Sequence, residues 1–214
     1  MKIGILGSGS VAQTLAAGFA RHGHEVMVGT REPAKLADWA AQNPKVKVGS
    51  FADTAAFGEL AVLAVKGTAA EAALRAADAG RHLAGKTLID ATNPIADLPP
   101  EQGVLRFFTT LDDSLMERLQ RAFPTVRFVK GFNSVGASLM IDPQLAGGRP
   151  TMFIAGDDAT AKAGVTTLLA EVGWDAADMG GAVAARAIEP LCMLWCIPGF
   201  LRNDWVHAFK LLQQ

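Results

Sequence analysis

The sequence predicts an α/β protein built on a doubly wound, mostly parallel sheet. Along most of the 214 residues, short apolar runs ending at glycine or Asn-Pro alternate with longer segments of helical periodicity. That alternation puts helices on both faces of a parallel sheet. The first apolar run also leads straight into a glycine-rich turn, "GILGSGSVAQTLAAGF" at 4–19, which opens the first helical segment. No internal repeat interrupts the pattern.

Taken in order, "KIGILG" (2–7) reads as a buried strand, and the pattern from Val11 to Arg21 is helical. "GHEVMVGTR" (23–31) is a second strand, followed by the helix "REPAKLADWAAQ", with Pro33 in its first turn. "VKVGS" (46–50) and "LAVLAVKG" (60–67) are the third and fourth strands, and the alanine-rich run after them is a covering helix. "KTLIDATNP" (86–94) is a fifth strand stopped by Asn93-Pro94, and "DLPPEQG" (97–103) a flexible insertion. A helix follows over 112–123, with Asp112 and Asp113 suited to its positive end, then a sixth strand at 127–133. The remainder holds a strand at 150–158, the helix "ATAKAGVTTLLAEVG", a further strand in "WDAADMGG", and a helical segment from Ala182 that Pro198 interrupts. The expected organisation is a single domain over 1–214, with a dinucleotide-binding core at 1–140. A C-terminal strand-helix extension at 141–214 would close the site and supply a dimer interface.

Composition narrows the function. Half of the residues are hydrophobic, 19% are charged and the net charge is -1, which favours neither nucleic acid nor an anionic membrane surface as a partner. The Met-Lys-Ile start lacks the pattern of a secretory signal, and the apolar stretch 191–201 is short for a membrane span, so a cytoplasmic protein is expected. Cys192 and Cys196 share a helix face and read as core residues. His22 and His24 lack companion ligands and read as turn residues rather than a metal site. Trp195 and Trp205 suit either core or subunit interface, with the interface favoured.

The glycine turn carries the chemistry. Gly7-Ser8-Gly9-Ser10-Val11-Ala12 has the form G-x-G-x-x-A between a strand and a helix. Gly7 permits the turn, Gly9 lets backbone approach a pyrophosphate, and Ala12 is small enough for close helix–strand packing. The helix start then offers unpaired N–H groups to phosphate oxygens, as in the Rossmann NAD(P)-binding fold. At the end of the second strand, Thr30 offers a hydroxyl and Arg31 a planar guanidinium, with Lys35 one turn further on. An acid there would bind a ribose 2'-hydroxyl; the one acid present, Glu32, lies a position past the strand. Two cations and a hydroxyl suit a 2'-phosphate, so NADP(H) is the expected cofactor.

With these residues in view, "IGILGSGSVAQTLAAGFARHGHEVMVGTRE" resembles the NADPH-dependent reductases of the coenzyme F-420 (deazaflavin) group, whose dinucleotide module also occurs in the cytoplasmic domain of membrane ferric reductases. "LAVLAVKG", "IDATNP", "VKGFNSVGAS", "FIAGDD", "RAIEPLCMLW" and "HAFKLL" follow in family order. The resemblance implies a hydride passed between NADP(H) and a stacked deazaflavin, flavin or related small-molecule acceptor, by an enzyme often dimeric. It implies pyrophosphate contacts from Ser8, Ser10 and Val11, a 2'-phosphate site at Thr30, Arg31 and Lys35, and a cofactor border at Val65 and Lys66. Asn93, Pro94 and Ala137 would lie beside the nicotinamide, with Pro198, Gly199 and Phe200 over the second ring system. Relatives often carry proline where this chain has Lys66. Hydride transfer between stacked cofactors needs alignment more than a side-chain acid or base, and no catalytic side chain is assigned. Lys66 and His207 are the candidate proton donors.

Two other readings fit the same first module. One is a small-carbonyl or imine reductase of the 6-phosphogluconate or pyrroline-carboxylate type, although such enzymes usually add a large helical domain, for which the residues after the sixth strand leave little room. The other is a non-enzymatic NADPH-binding redox sensor with the 97–103 loop as its moving part.

Overall fold

The protein is described here by a computed structural model, which covers residues 1–212. Its main sheet has six parallel strands: β1 (Lys2–Leu6), β2 (Glu25–Gly29), β3 (Val46–Gly49), β4 (Leu60–Leu63), β5 (Thr87–Asp90) and β6 (Arg127–Lys130). They stand in the order β3-β2-β1-β4-β5-β6. The direction of winding reverses between β1 and β4, and a crevice opens beyond their carboxyl ends.

Strand side chains alternate between the two faces. In β4, Leu60 and Val62 join a cluster with Ile3, Ile5, Leu15 and Phe19. Ala61 and Leu63 point the other way, to Leu74, Leu88, Leu119 and Phe128. Helix α1 (Ser10–Arg21) covers the first face. On the second lie α3 (Phe51–Phe57), α4 (Ala70–Ala76), α5 (Ala79–His82) and α6 (Leu115–Ala122), whereas α2 (Ala37–Gln42) follows a single 3-10 turn at Pro33–Leu36. The chain continues through β7 (Thr151–Ile154), α7 (Ala159–Glu171) and β8 (Asp175–Asp178), a separate parallel pair. The Lys130 N–H donates to the Ala155 carbonyl at 2.8 Å and ties this pair to β6. Helices α8 (Ala185–Ile188) and α9 (Leu191–Arg202) complete the fold.

Several expectations need correction. Strands stop one to four residues before the ends read from the apolar pattern, because the chain turns away from the sheet at the crevice. Helix α3 was not anticipated; Ser50 and Asp53 form its capping box, the Ser50 hydroxyl accepting from the Asp53 N–H at 3.1 Å. The alanine-rich run is two helices, broken at Asp78 in the left-handed region (φ 48). Helix α6 begins at Leu115, capped by Ser114 and Glu117, while Asp113 pairs with Arg118 and Arg121 instead. The Arg186 guanidinium and the hydrogen bonds from Ser114 hold Glu117 down at about 2.

Pro198 does not interrupt the last helix. It sits inside α9, which continues to Arg202 and ends at left-handed Asn203. The Trp205 ring folds back onto Gly199, where any Cβ would lie 2.3 Å from it. Trp195 stacks on His207 with centroids 5.0 Å apart and is buried within the chain, so of its two readings, core and interface, the core one describes it. With the preceding turns, α9 forms a helical run Ala182–Arg202 of 21 residues, long and apolar enough to cross a membrane by length and composition, so the segment is longer than expected. A core helix passes the same test, and within this run Arg186 and Glu189 are ion-paired to Glu117 and Lys130.

That last contact belongs to a buried charge network. The Lys130 ammonium, with no exposed surface, donates to Asp90 Oδ2 and the Thr92 carbonyl, both at 2.8 Å, and pairs with Glu189 Oε1 at 2.9 Å. Asp90 Oδ1 accepts from the Thr92 N–H and hydroxyl, at 2.9 and 2.6 Å. Glu189 accepts from the first backbone N–H groups of α6, Leu115 at 2.9 Å and Met116 at 3.0 Å. Burial pushes the Lys130 ammonium toward deprotonation, but the Asp90 and Glu189 carboxylates more than offset this and its pKa is raised. Lys130→Met leaves two buried carboxylates without a counter-charge and is expected to cost about 3–5 kcal/mol of unfolding free energy. Urea denaturation checks this; a loss no larger than that of an ordinary surface substitution would contradict it.

Candidate functional site

The crevice beyond β1 and β4 is a cleft of about 630 Å³. Its floor is the turn Gly7-Ser8-Gly9-Ser10-Val11. The Gly7 N–H donates to the Gly29 carbonyl at 3.0 Å, extending the β1–β2 ladder by one bond before the chain turns. Gly7 has φ 138, and a Cβ there would lie 2.1 Å from the Ala64 carbonyl oxygen. Only glycine meets both demands. Helix α1 then starts from Gly9 with no side-chain cap and no acid in its first turn. Its first N–H groups and the positive end of its dipole are left to an anion.

On one side, β2 delivers Thr30, Arg31, Glu32 and Lys35 to the cleft wall. Thr30 is buried, and its hydroxyl donates to Ser8 Oγ at 3.3 Å, joining the two turns. Arg31 is exposed and has no ion pair among the described residues. Lys35 pairs with Glu32 at 2.8 Å, and mainly through that hydrogen bond holds the Glu32 carboxyl below its usual range. On the other side stand Val65 and Lys66 beyond β4, with Ala91 beyond β5. Lys66 is exposed and faces Asp97 at 3.4 Å. Ala69, just before α4, and the α4 residues Ala72, Ala73 and Ala76 complete this wall.

Ten of the thirteen sequence-predicted site residues therefore line one cleft: Gly7, Ser8, Gly9, Ser10, Val11, Thr30, Arg31, Lys35, Val65 and Lys66. Asn93, Pro94 and Ala137 are outside its lining. The Asn93 side-chain amide donates to the Asn133 carbonyl at 2.8 Å, and Asn133 Nδ2 donates back to Asn93 Oδ1 at 3.2 Å. Pro94 is buried and its carbonyl accepts from the Phe108 N–H at 2.9 Å. Ala137 begins a 3-10 turn after β6. Pro198, Gly199 and Phe200 likewise do not line the cleft; nor does His207, whose Nε2 lies 2.9 Å from the Trp195 carbonyl.

Phe51 and the α4 alanines also line the cleft but were not singled out as site residues. Their available signal was the run of alanines, whose flat surface leaves room beside the glycine turn. His22 and His24 pair with Asp142 and Glu171, at 3.0 and 3.1 Å, and no group of residues among those described could hold a metal ion.

The doubly wound sheet and its glycine-floored crevice define a dinucleotide-binding protein of the Rossmann type. A family model described as "NADP oxidoreductase coenzyme F420-dependent" matches residues 2–94. The crystal structure of a candidate F420-dependent NADP reductase from Arthrobacter sp. FB24 is 40% identical, with 100% of both chains covered and a TM-score of 0.92. The chain belongs to this family of NADP-dependent oxidoreductases. It is also 32% identical over 206 residues to the rat metalloreductase STEAP3, covering 94% of this chain. The chain spans 39% of that protein's length and 35% of human metalloreductase STEAP2. An Aspergillus terreus imine reductase, 20% identical with a TM-score of 0.68 over 94% of this chain and 63% of its own, shares the fold.

The Gly7 geometry supplies a test. Gly7→Ala combines left-handed strain with a clash against backbone and is expected to cost about 1–3 kcal/mol or more of stability. Thermal unfolding measures it, and a change within error would show that the turn can relax.

Proposed function

We propose that this protein passes a hydride between NADPH and a stacked deazaflavin or flavin, and takes NADPH in preference to NADH. The observation that carries the cofactor preference is the pairing of the uncapped α1 start with Arg31 and Lys35 in one cleft. The α1 N–H groups bind a pyrophosphate, while the Thr30 hydroxyl, the Arg31 fork and the Lys35 ammonium bind a 2'-phosphate. NADPH supplies the reducing equivalent when bound. Val65 and Lys66 border it, and the α4 alanines exclude water from one wall without presenting a polar group.

Family membership and the kind of site this is support this reading of the acceptor. The ionisable side chains lining the cleft are Arg31, Glu32, Lys35 and Lys66, all exposed at its rim. Such a site orients rings and excludes water more readily than it moves protons, which suits transfer between two redox cofactors. The metalloreductase relatives favour a second acceptor, a metal ion, and the same assay includes a ferric chelate to test it.

The test follows NADPH absorbance in parallel with an oxidised deazaflavin, FMN and a ferric chelate, each repeated with NADH. Rapid NADPH loss with the deazaflavin or FMN and slow NADH loss is the expected result. Turnover with small imines or carbonyls and none with the three acceptors would overturn the assignment. In the same assay, Arg31→Ala is expected to weaken NADPH binding by roughly 1.5–3 kcal/mol while leaving NADH nearly unchanged. Equal losses for both cofactors would remove Arg31 from the 2'-phosphate site.

A further inference from the structure

We infer that Glu32 sets the cofactor selectivity of this cleft, by holding Lys35 until a 2'-phosphate displaces it. The inference rests on the proposed 2'-phosphate site and assigns a role within it to the one acid present. Glu32 lines the cleft between the two cations assigned to the phosphate. Both of its carboxylate oxygens reach the Lys35 ammonium, Oε1 at 2.9 Å and Oε2 at 2.8 Å. The backbone fixes the pair: the Glu32 N–H donates to the Thr30 hydroxyl oxygen at 3.3 Å, and the Lys35 N–H donates to the Glu32 carbonyl at 3.1 Å. Glu32 caps the 3-10 turn that Pro33 starts and Lys35 lies within it, which limits how far the two can part.

The two cofactors meet this arrangement differently. A ribose 2'-hydroxyl can donate to the Glu32 carboxylate while the ion pair stays intact, the contact that acids near the end of this strand make in NAD sites. A 2'-phosphate can recruit Lys35 only by breaking the pair, and it then lies against a carboxylate of like charge. Glu32 therefore weakens NADPH binding and gives NADH a foothold, whereas Arg31, with no pair to break, acts for the phosphate alone. The selectivity of the wild-type cleft is the difference between these opposing effects.

The test is a set of binding titrations with NADPH, NADH and adenosine 2',5'-bisphosphate, on the wild type and on Glu32→Gln, Lys35→Ala and the double variant. Glu32→Gln keeps the side-chain length and removes the charge. It is expected to tighten NADPH and the bisphosphate by about three- to fivefold, the scale of an exposed ion pair, and to leave NADH unchanged or weaker. Lys35→Ala is expected to weaken NADPH more in the Glu32→Gln background than in the wild type, because the free lysine no longer has a partner to lose. Both side chains are exposed, so the variants should fold. Glu32→Gln affinities within error of wild type for all three ligands, or a loss of NADPH affinity, would overturn the inference. Arg31→Ala separates the two levels of the argument. If it fails to weaken NADPH and the bisphosphate selectively, the 2'-phosphate site itself is wrong; if it does so and Glu32→Gln changes nothing, only the role of Glu32 falls.

Discussion

The Lys130 ammonium is the constraint on which the rest of the molecule depends. It lies at the end of the last strand of the main sheet and is bonded to the end of β5, to the turn after β5 and to the segment between α8 and α9. Through Glu189 the same network reaches the start of α6. Four chain segments distant in sequence therefore meet at one buried positive charge. An ion buried this deeply is stable only when every partner is in place, so the network admits one arrangement of these segments. Asn93 and Asn133 extend the order outward with a reciprocal pair of side-chain amide bonds, and Asn133 Nδ2 also donates to the Ile188 carbonyl at 3.0 Å.

The cleft is built on a different principle. Its floor depends on the backbone of Gly7 and on the first turn of α1, and its selective groups are exposed side chains on the turn after β2. A rigid buried network on one half of the sheet and a solvent-facing charged rim on the other divide the work. The first holds strands and helices in register; the second discriminates between ligands that differ by one phosphate. Exposed charges suit that task because their rearrangement costs little.

Much of the architecture and the glycine turn were legible in the sequence, for physical reasons. Parallel strands buried on both faces leave continuous apolar runs, and a G-x-G-x-x-A turn imposes steric demands that few other residues meet. Arg31 and Lys35 could be placed because they follow the second strand closely. Asp90, Lys130 and Glu189 could not, since a lone charged residue at a strand end looks like surface until its partners, far away in sequence, are brought to it. Pro198 misled for a related reason. A proline ends an isolated helix, but here packing of Trp205 on Gly199 and of Trp195 on His207 holds the helix past the missing N–H. The division of the alanine run at Asp78 left no signal stronger than alanine's own helical preference.

The strand order also bears on how the chain acquires its structure during synthesis. Strand β1 is central, flanked by β2 on one edge and β4 on the other, and both partners follow it in the sequence. Both of its edges must wait for later sequence, and parallel pairing of this kind is intrinsically slow. The charge at Lys130 waits longer still, since Glu189 follows it by 59 residues. Without Glu189 the ammonium has a single carboxylate to pair with, and burying it is then costly. The sheet can therefore close over Lys130 only once the segment that carries Glu189 has been made.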